Sequence, residues 1–434
     1  MTVKHLFPEA EPALNLDFRN SLTLDPRVSY SRASTGTYVG RDRLLHYAQQ
    51  NEPRFDHDSV TGESLGLLVE MARTNLVIHS EDLSAGSWSP LENAALSTVA
   101  GVTAPDGASA VYRLTENSST SPETHGISVA AANMNGGSDP GIDFTVSFWA
   151  RSSNRGVRVR ALGFGNFTFY FDIADVSGNR DAQIQSGNLI PFPNGWYKCV
   201  YTGNIQGNRR LSFQSFIESL PTPGEVAYGG DGLSFIELWG IQAEQGQFGT
   251  SYIPTSGPIG GSVCNCRAAD VFEMTGTDFS DWYYPPEGSL SVGYVANGGF
   301  GLLRIWDGQG NNLNYWEVGA KNAAGGVLGF TTRSNQGAGG IGTYNKGRID
   351  AQNNYGFRVN HAAAIGVGES SCYTFSSSGD VNLNTGSLDP GQDDYLAPLV
   401  DRFELYELAG SLTIAYISYY RQRLSDEQLL ALAS

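Results

Sequence analysis

The chain has 434 residues, more than one ordinary hydrophobic core accommodates, and this length suits two or three domains. Acidic residues outnumber basic residues 44 to 27, and a surface with a net charge of −17 repels nucleic-acid phosphates and anionic membranes. The 53 glycines, 11% aromatic residues and four methionines indicate many short strands joined by tight turns, so the composition predicts an all-β protein with little helix.

Residues 1–80, here called the N-terminal segment, are predicted to form a small β-rich unit. Short apolar stretches are interrupted by Gly36, Gly40 and Gly62, a pattern that favours short strands over helix. Such a segment buries little apolar surface alone, so we expect it to pack on a neighbouring unit or on other copies of itself. The first residues have no apolar core behind a basic start, and no later run reaches about eighteen apolar residues, so neither a signal peptide nor a membrane span is expected.

The run Asp-His-Asp at 56–58, with Glu63 close behind, combines carboxylates with an imidazole. These groups are what acid–base catalysis or a metal site requires. The other interpretation is a turn between two strands built on Asp58, Thr61 and Gly62, because such residues commonly form turns. No similar cluster elsewhere in the chain supports catalysis, so the turn is favoured.

Residues 81–258 are predicted to form a first β-sandwich. Apolar and polar residues alternate with a period of two, which is typical of strands with one face in a core. The final alternating segment begins at Phe235, and Gly246, Gly249 and Pro254 follow it, so we expect a closing strand and then a hinge. The pattern indicates a jelly-roll-like unit with its own core, with strands predicted at 144–149, 157–161, 167–171, 196–201, 211–217 and 235–241.

Residues 262–434, here called the C-terminal unit, are predicted to form a second sandwich. One short helix is expected at the end of the chain, where Ser425 provides a cap and leucines provide an apolar side. The fold class is therefore all-β, with two jelly-roll-like sandwiches in tandem after a small N-terminal segment. The strands of this unit are predicted at 290–295, 301–306, 314–318, 327–331, 355–359, 372–376, 399–405 and 412–420.

The four cysteines, Cys199, Cys264, Cys266 and Cys372, are few and scattered for a chain of this length. This usage argues against a disulfide framework and predicts free thiols made in a reducing cytoplasm. The Cys264–Cys266 spacing is tight for one zinc ion and has no second close pair of Cys or His. No metal and no cofactor are expected.

Three parts of the chain resemble a known type of bacteriophage particle protein. The stretch EPRFDHDSVTGESLGLLVEMARTNLVIHSEDLSAGSW is similar to a module of phage tail and fibre proteins that precedes a carbohydrate-binding-module-like sandwich. The hinge run LWGIQAEQGQFGTSYIPTSG and the run CRAADVFEM resemble the end of that sandwich in the same proteins. The runs DWYYPPEGSLSVGY and AYISYYRQRLSDEQLLAL resemble the first and last elements of a concanavalin A-like or laminin-G-like domain.

The resemblance implies a glycan-facing virion protein, commonly a homotrimer, in a tail fibre, tail spike or head spike of a phage or a phage-like gene transfer particle. It implies a carbohydrate-binding-module-like sandwich at 81–258 and a concanavalin A-like sandwich at 262–434. Residues 1–80 are then expected to anchor or assemble the protein on the particle. The resemblance does not specify a sugar.

Sequence motifs for catalysis are absent. The chain has no G-x-S-x-G elbow, no phosphate-binding loop, no H-E-x-x-H and no D-x-D-x-D-G calcium loop, and its six histidines form no local pattern typical of a triad. Glycosidases need only two carboxylates across a cleft, a pair that sequence cannot reveal, so hydrolysis stays open as an alternative. A non-enzymatic protein is favoured.

The predicted hairpin from Leu303 to Glu317 is the most suggestive sugar-binding surface. If Leu303 and Ile305 face the core, the alternate residues face outward and place an aromatic ring beside polar groups, as sugar recognition requires. Alternatively, Trp306 or Trp316 fills the core, since the inward face depends on the register. The predicted glycan-binding residues, here called the hairpin patch, are Arg304, Trp306, Asp307, Asn311, Asn312, Tyr315 and Glu317.

The leading hypothesis is a virion-surface protein that adsorbs to host polysaccharide without cleaving it. Its expected partners are that polysaccharide, other virion proteins bound through the N-terminal segment, and further copies of itself, with a trimer favoured. Nucleic acid and membrane insertion are not expected. The alternatives are a purely structural fibre or decoration subunit and a glycan depolymerase.

Overall fold

The structure is a computed structural model that describes residues 11–130, 143–163, 167–174, 187–203, 208–217, 227–257, 265–284, 287–308, 315–321, 326–334, 342–351, 357–366, 369–376 and 400–433. Strands dominate this part of the chain. Its helical elements are α1 (Thr277–Ser280), α2 (Asp426–Ala433) and one turn of 3-10 helix at Pro193–Gly195. The prediction of an all-β sandwich fold is confirmed. None of the helices in the described ranges has the length and apolar character needed to cross a membrane.

The first sandwich consists of two antiparallel sheets. A six-stranded sheet has the order β15-β16-β12-β18-β10-β9 and faces a five-stranded sheet with the order β14-β13-β17-β11-β8. Apolar side chains from both sheets, such as Phe148 and Phe213, form one buried core. The strands are β8 (Trp88–Glu92), β9 (Ala94–Thr98), β10 (Tyr112–Glu116), β11 (Gly126–Ala130), β12 (Phe144–Ser152), β13 (Gly156–Gly163), β14 (Phe167–Phe171), β15 (Asn188–Pro191), β16 (Tyr197–Gly203), β17 (Asn208–Phe216) and β18 (Phe235–Gln245).

Strand β18 contains a bulge at Gly240 that reverses its alternation. Ile236 and Leu238 point into the sandwich core before the bulge, and Ile241 and Ala243 do so after it. Gly240 has φ +61°, and a Cβ there would lie 2.9 Å from the Trp149 ring, so only glycine fits this position.

The outer face of the six-stranded sheet is also buried. Trp149, Trp196 and Trp239 pack there with Tyr252 and with Leu45 of the N-terminal segment. These tryptophans therefore pack between the first sandwich and the N-terminal segment.

The N-terminal segment is hydrogen-bonded into the sheet of the C-terminal unit. Strands β1 and β6 pair with β27, and β2 pairs with β20. Leu16, Phe55 and Val69 lie in the same core as Phe272 and Ile417, so the segment packs on a neighbouring unit of its own chain. Its strands are β1 (Leu14–Asp17), β2 (Ser29–Ser31), β3 (Gly36–Val39), β4 (Leu45–Ala48), β5 (Arg54–His57), β6 (Ser64–Glu70) and β7 (Arg73–Thr74).

The C-terminal unit is built on two long antiparallel strands, β21 and β27. The twelve-stranded sheet around them includes the path β2-β20-β27-β21-β22-β23-β24, and β25 pairs with both β21 and β26. The strands are β19 (Cys266–Arg267), β20 (Val271–Thr275), β21 (Gly288–Trp306), β22 (Tyr315–Lys321), β23 (Gly326–Ser334), β24 (Gly342–Ala351), β25 (Phe357–Gly366), β26 (Glu369–Ser376) and β27 (Arg402–Tyr420).

Helix α2 begins where the sequence predicts. The Gln428 amide donates to the Ser425 hydroxyl over 3.3 Å, and Leu424 and Leu429 are buried. The one-turn helix α1 was not predicted, and it carries Phe279 into the core beside Trp282.

Cysteine usage differs in part from the prediction. Cys199 is a buried free thiol, as expected. Cys266 is disulfide-bonded, to a partner whose side chain lies outside the described part of the chain, so the prediction of free thiols is wrong at this position. Spacing along the chain does not reveal which thiols the fold brings within bonding distance.

Candidate functional site

The hairpin patch lies on the face of β21 and β22 opposite the core. Leu303 and Ile305 are buried in the core, as predicted. Arg304 is directly across from Glu317, and Trp306 is directly across from Tyr315, so these four positions share one face. Asn311, Asn312 and the side chains of Tyr315 and Glu317 lie outside the described residues.

The described side chains of the hairpin patch pack against one another. Arg304 is only 3% exposed, and its Cζ atom lies 5.2 Å from the centre of the half-buried Trp306 ring. The Cζ atom of Arg402 lies 5.9 Å from the same ring. Burial raises the pKa of the neighbouring Glu404 carboxyl, and Trp306 opposes this shift by stabilising the charged form. Asp307 is half-buried at the start of the following turn. The aromatic ring thus has two guanidinium groups within cation–π distance.

A cavity of about 360 Å³, here called the junction pocket, lies where all three parts of the chain meet. The volume falls in the range of small-molecule sites. The N-terminal segment contributes one wall, the outer face of the first sandwich another, and β21 and β27 a third. Its lining includes Tyr38, Val39, Leu45, Asp56, His57, Trp149, Ile190, Phe192, Lys198, Tyr252, Val295 and Ser411.

Strand alternation directs Asp56 and Lys198 toward the pocket. Asp56 follows Phe55, whose side chain is buried in the core on the other face of β5. Lys198 precedes Cys199, which is in the sandwich core, and Lys198 is directly across from Trp149 on β12. Both charged side chains are half-buried and line the cavity.

The carboxylate of Asp56 is held by one backbone donor. The Val39 amide donates to Asp56 Oδ1 over 2.7 Å, and no described residue donates to Oδ2. Burial raises the pKa of the Asp56 carboxyl from 3.8 to about 6, although the Val39 amide stabilises its charged form. One carboxylate oxygen is therefore available to a ligand.

The ammonium of Lys198 lies 5.1 Å from the centre of the Trp149 ring. Within the described ranges it forms neither a hydrogen bond nor an ion pair. Burial lowers the pKa of Lys198, and Glu244, Glu70 and Asp56 oppose that shift. Three N–H donors therefore face the pocket without an acceptor among the described residues.

A buried ion network adjoins the junction pocket through Glu70, which is part of the pocket lining. Arg54 donates from Nη1 to Glu70 Oε2 over 2.7 Å and from Nη2 to Asp270 Oδ2 over 2.6 Å. Arg32 lies 3.3 Å from Asp270, and Arg267 lies 3.2 Å from Glu70. The side chains of all five residues are at most 1% exposed.

Glu70 ties the three parts of the chain together. Its two oxygens accept from Arg54 of the N-terminal segment, from Ser251 of the first sandwich and from Ser411 of β27. Burial opposes its charge, but Arg267 and Arg54 outweigh burial and hold the pKa of this carboxyl well below its usual range. Glu70 is therefore ionised, fully engaged and structural.

The turn interpretation of residues 56–63 is confirmed at Asp58. Its Oδ1 atom accepts from the amides of Val60 and Thr61 at 2.9 and 2.7 Å, and Gly62 has φ +74°. The described residues contain no group of three or more His, Cys, Asp or Glu side chains arranged to hold a metal ion. Asp56 is separate from the turn. Nothing in the sequence pairs it with Lys198, whose one signal is a charge within the aromatic strand WYKCVY.

Comparisons with known proteins give distant structural similarities. No protein-family model and no curated protein matches the chain. The chain is similar to the CBM40 module of Ruminococcus gnavus IT-sialidase bound to α2,6-sialyllactose, with 18% identity over 35% of this chain and 85% of that one, at a TM-score of 0.25. The unliganded CBM40 module matches with 17% identity at a TM-score of 0.26, over 35% of this chain and 84% of that one.

A longer similarity extends over most of the chain. A bifunctional GH43-CE protein of Bacteroides eggerthii matches with 12% identity and a TM-score of 0.23, covering 91% of this chain. The chain spans about half the length of that protein, 49%. A function for this chain therefore has to be inferred from its own residues.

Proposed function

We propose that this chain binds carbohydrate without cleaving it, and that it does so on a phage or phage-like particle as an adsorption protein for host surface polysaccharide. The observation that carries the proposal is the junction pocket, where aromatic and aliphatic walls surround an available carboxylate and an available ammonium. Sugars present this combination of apolar C–H faces and hydroxyl groups, which both donate and accept hydrogen bonds.

The construction of the pocket supports binding by a rigid site. Asp56, Lys198 and Trp149 lie on strands rather than on free loops, and the buried ion network joins β5, which carries Asp56, to β6 through Arg54 and Glu70. A ligand then meets groups that are already in place, which lowers the entropic cost of binding.

The hydrogen bonding of Glu70 supports binding without hydrolysis. Glycoside hydrolysis requires two carboxylates with separate roles, one as acid and one as nucleophile or base. Asp56, Asp58 and Glu70 line the pocket. The amides of Val60 and Thr61 donate to Asp58 Oδ1, and five contacts from Arg54, Arg267, Ser251 and Ser411 occupy the oxygens of Glu70. Glu70 has no free oxygen with which to activate water or attack a sugar.

The location and assembly belong to the same proposal. The resemblance to phage fibre proteins supports a tail fibre, tail spike or head spike that is anchored to other virion proteins through the N-terminal segment. A homotrimer would repeat a weak site, and tethering would convert later contacts into intramolecular ones, giving avidity.

Incubation of the purified chain with host polysaccharide tests the proposal, with retention and polymer chain length followed together. Retention without shortening is the expected result. Shortening of the polymer would identify a depolymerase. Absence of both would favour a structural fibre or decoration subunit.

A further inference from the structure

Among its described lining residues, the junction pocket contains two charged groups that the fold leaves available, one of each sign. Lys198 Nζ offers donors, and Asp56 Oδ2 offers an acceptor. Their positions are 142 residues apart in the chain, and no ion pair joins them in the described structure. Each group can therefore bind a different part of a ligand in the same cavity.

The other charged side chains near the pocket already have partners. Glu70 is paired with Arg54 and Arg267, and Asp270 is paired with Arg54 and Arg32. Asp58 is engaged by backbone amides in its turn. The available charges of Asp56 and Lys198 offset each other, so the described lining has no surplus cation for an acidic ligand and no surplus anion for a basic one.

The other lining groups are largely apolar. Val39, Leu45, Ile190 and Phe192 line the cavity beside Trp149. A ligand that fills this space must present C–H surface as well as hydroxyl groups, since burying an unpaired polar group is unfavourable. A pyranose ring meets both demands.

We propose that the junction pocket binds one neutral pyranose residue, with one hydroxyl oxygen accepting from Lys198 Nζ and another hydroxyl donating to Asp56 Oδ2. This inference rests on the proposed carbohydrate binding and specifies its ligand class. An acidic sugar would pair its carboxylate with Lys198 and add a negative charge to a cavity that Asp56 and Asp58 also line. An amino sugar would pair its ammonium with Asp56 and add a positive charge to the cavity that Lys198 lines.

Titration calorimetry of the full chain at pH 7.5 tests the proposal. The probes are free neutral hexoses, neutral oligosaccharides, glucuronic acid, N-acetylneuraminic acid and glucosamine. The wild type is compared with Lys198→Met, Lys198→Gln and Asp56→Asn. Arg27→Met is the matched control, because Arg27 is paired with Asp25 in the N-terminal segment and lies outside the pocket lining.

The expected result is binding of at least one neutral sugar, weakened about tenfold to a hundredfold by each pocket variant and unchanged by Arg27→Met. Circular dichroism and melting curves identify variants that fold. If Lys198→Met does not fold, Lys198→Gln and Asp56→Asn keep the test intact.

Three results would overturn the inference: failure of every neutral sugar to bind, stronger binding of an acidic or amino sugar, or full affinity in the folded pocket variants. Polysaccharide retention separates this failure from failure of the proposed function. If the pocket variants retain host polysaccharide as well as the wild type does, carbohydrate binding stands and the pocket is not its site.

Discussion

The hairpin patch and the junction pocket both place a tryptophan beside a cation, but only one has groups left for a ligand among the described side chains. In the hairpin patch, the Trp306 ring is close to the guanidinium groups of Arg304 and Arg402, and Arg304 is buried. In the junction pocket, Lys198 lies over Trp149 and faces a cavity. Residue types alone therefore do not distinguish packing from binding. The difference is whether polar atoms face empty space.

Substitution in the buried ion network beside the pocket gives the largest expected change in stability. Glu70→Ala would remove the carboxylate that Arg54 and Arg267 share and leave Asp270 as the one carboxylate of the described network beside three buried guanidinium groups. We expect the free energy of unfolding to fall by about 3–5 kcal/mol. Urea denaturation followed by tryptophan fluorescence measures the change.

The control for this prediction is an exposed ion pair. Asp25→Ala removes the partner of Arg27 at a site where both side chains are partly solvated, and we expect a loss of about 0–1 kcal/mol. Equal losses in the two variants would show that the network does not hold the three parts together.

The bulge beside the pocket gives the next largest effect. Gly240→Ala adds a Cβ that meets the Trp149 ring at 2.9 Å, at a position where φ is +61°. We expect destabilisation by about 2–4 kcal/mol, from backbone strain and overpacking, and weaker sugar binding, because Trp149 forms part of the pocket wall.

Gly101→Ala is the matched control for the bulge. Gly101 has φ +77°, and a Cβ added there would have no atom of the described residues within 4 Å. This substitution therefore introduces the backbone strain alone, about 1–2 kcal/mol. Equal effects of the two substitutions would rule out a specific contact between Gly240 and Trp149.

The titration of Asp56 makes stability depend on pH. The pKa of the Asp56 carboxyl is about 6 in the folded chain, and its ordinary value is 3.8. The folded state therefore binds the carboxyl proton more tightly than the unfolded state does. The stability contributed by the protonated group is present below pH 4 and is lost as pH rises to about 6.

Asp56→Asn isolates this contribution, since other titrating groups such as Glu70 remain in both proteins. We expect the stability of the wild type relative to the variant to fall by about 2 kcal/mol between pH 4 and pH 7, after allowance for the partial exposure of the side chain. Melting curves across this range provide the measurement. A constant difference would mean that Asp56 titrates normally.

The hairpin patch gives the smallest expected change. Trp306→Ala removes the ring that two guanidinium groups contact, and we expect the free energy of unfolding to fall by about 1–2 kcal/mol. We expect polysaccharide retention to be largely unchanged. Polysaccharide retention and the melting temperature, measured on the same preparation, test this expectation. Lost retention with an unchanged melting temperature would instead assign glycan binding to the hairpin, as the sequence predicts.

Local patterns were sufficient to predict much of the fold. Alternation placed Leu303 and Ile305 in the core and located β18, and the Ser425 cap located α2. These features depend on neighbours within a few residues, which sequence periodicity records.

The junction could not be predicted in the same way. Asp56 and Lys198 line the same pocket because β5 and β16, which belong to different parts of the chain, lie on either side of a buried boundary. The reversal of alternation at Gly240 also depends on the close approach of Trp149. Neither the pairing of the N-terminal segment with β27 nor the disulfide of Cys266 leaves a periodic signal.

Co-sedimentation of the full chain with host polysaccharide, with reducing ends assayed in the same samples, tests the central claim most directly. We predict that the wild type sediments with the polymer, that Lys198→Met sediments much less, and that the number of reducing ends stays constant in both. Equal sedimentation of the two proteins, or reducing ends that increase with time, would contradict a binding site built from Lys198 and Asp56 that leaves glycosidic bonds intact.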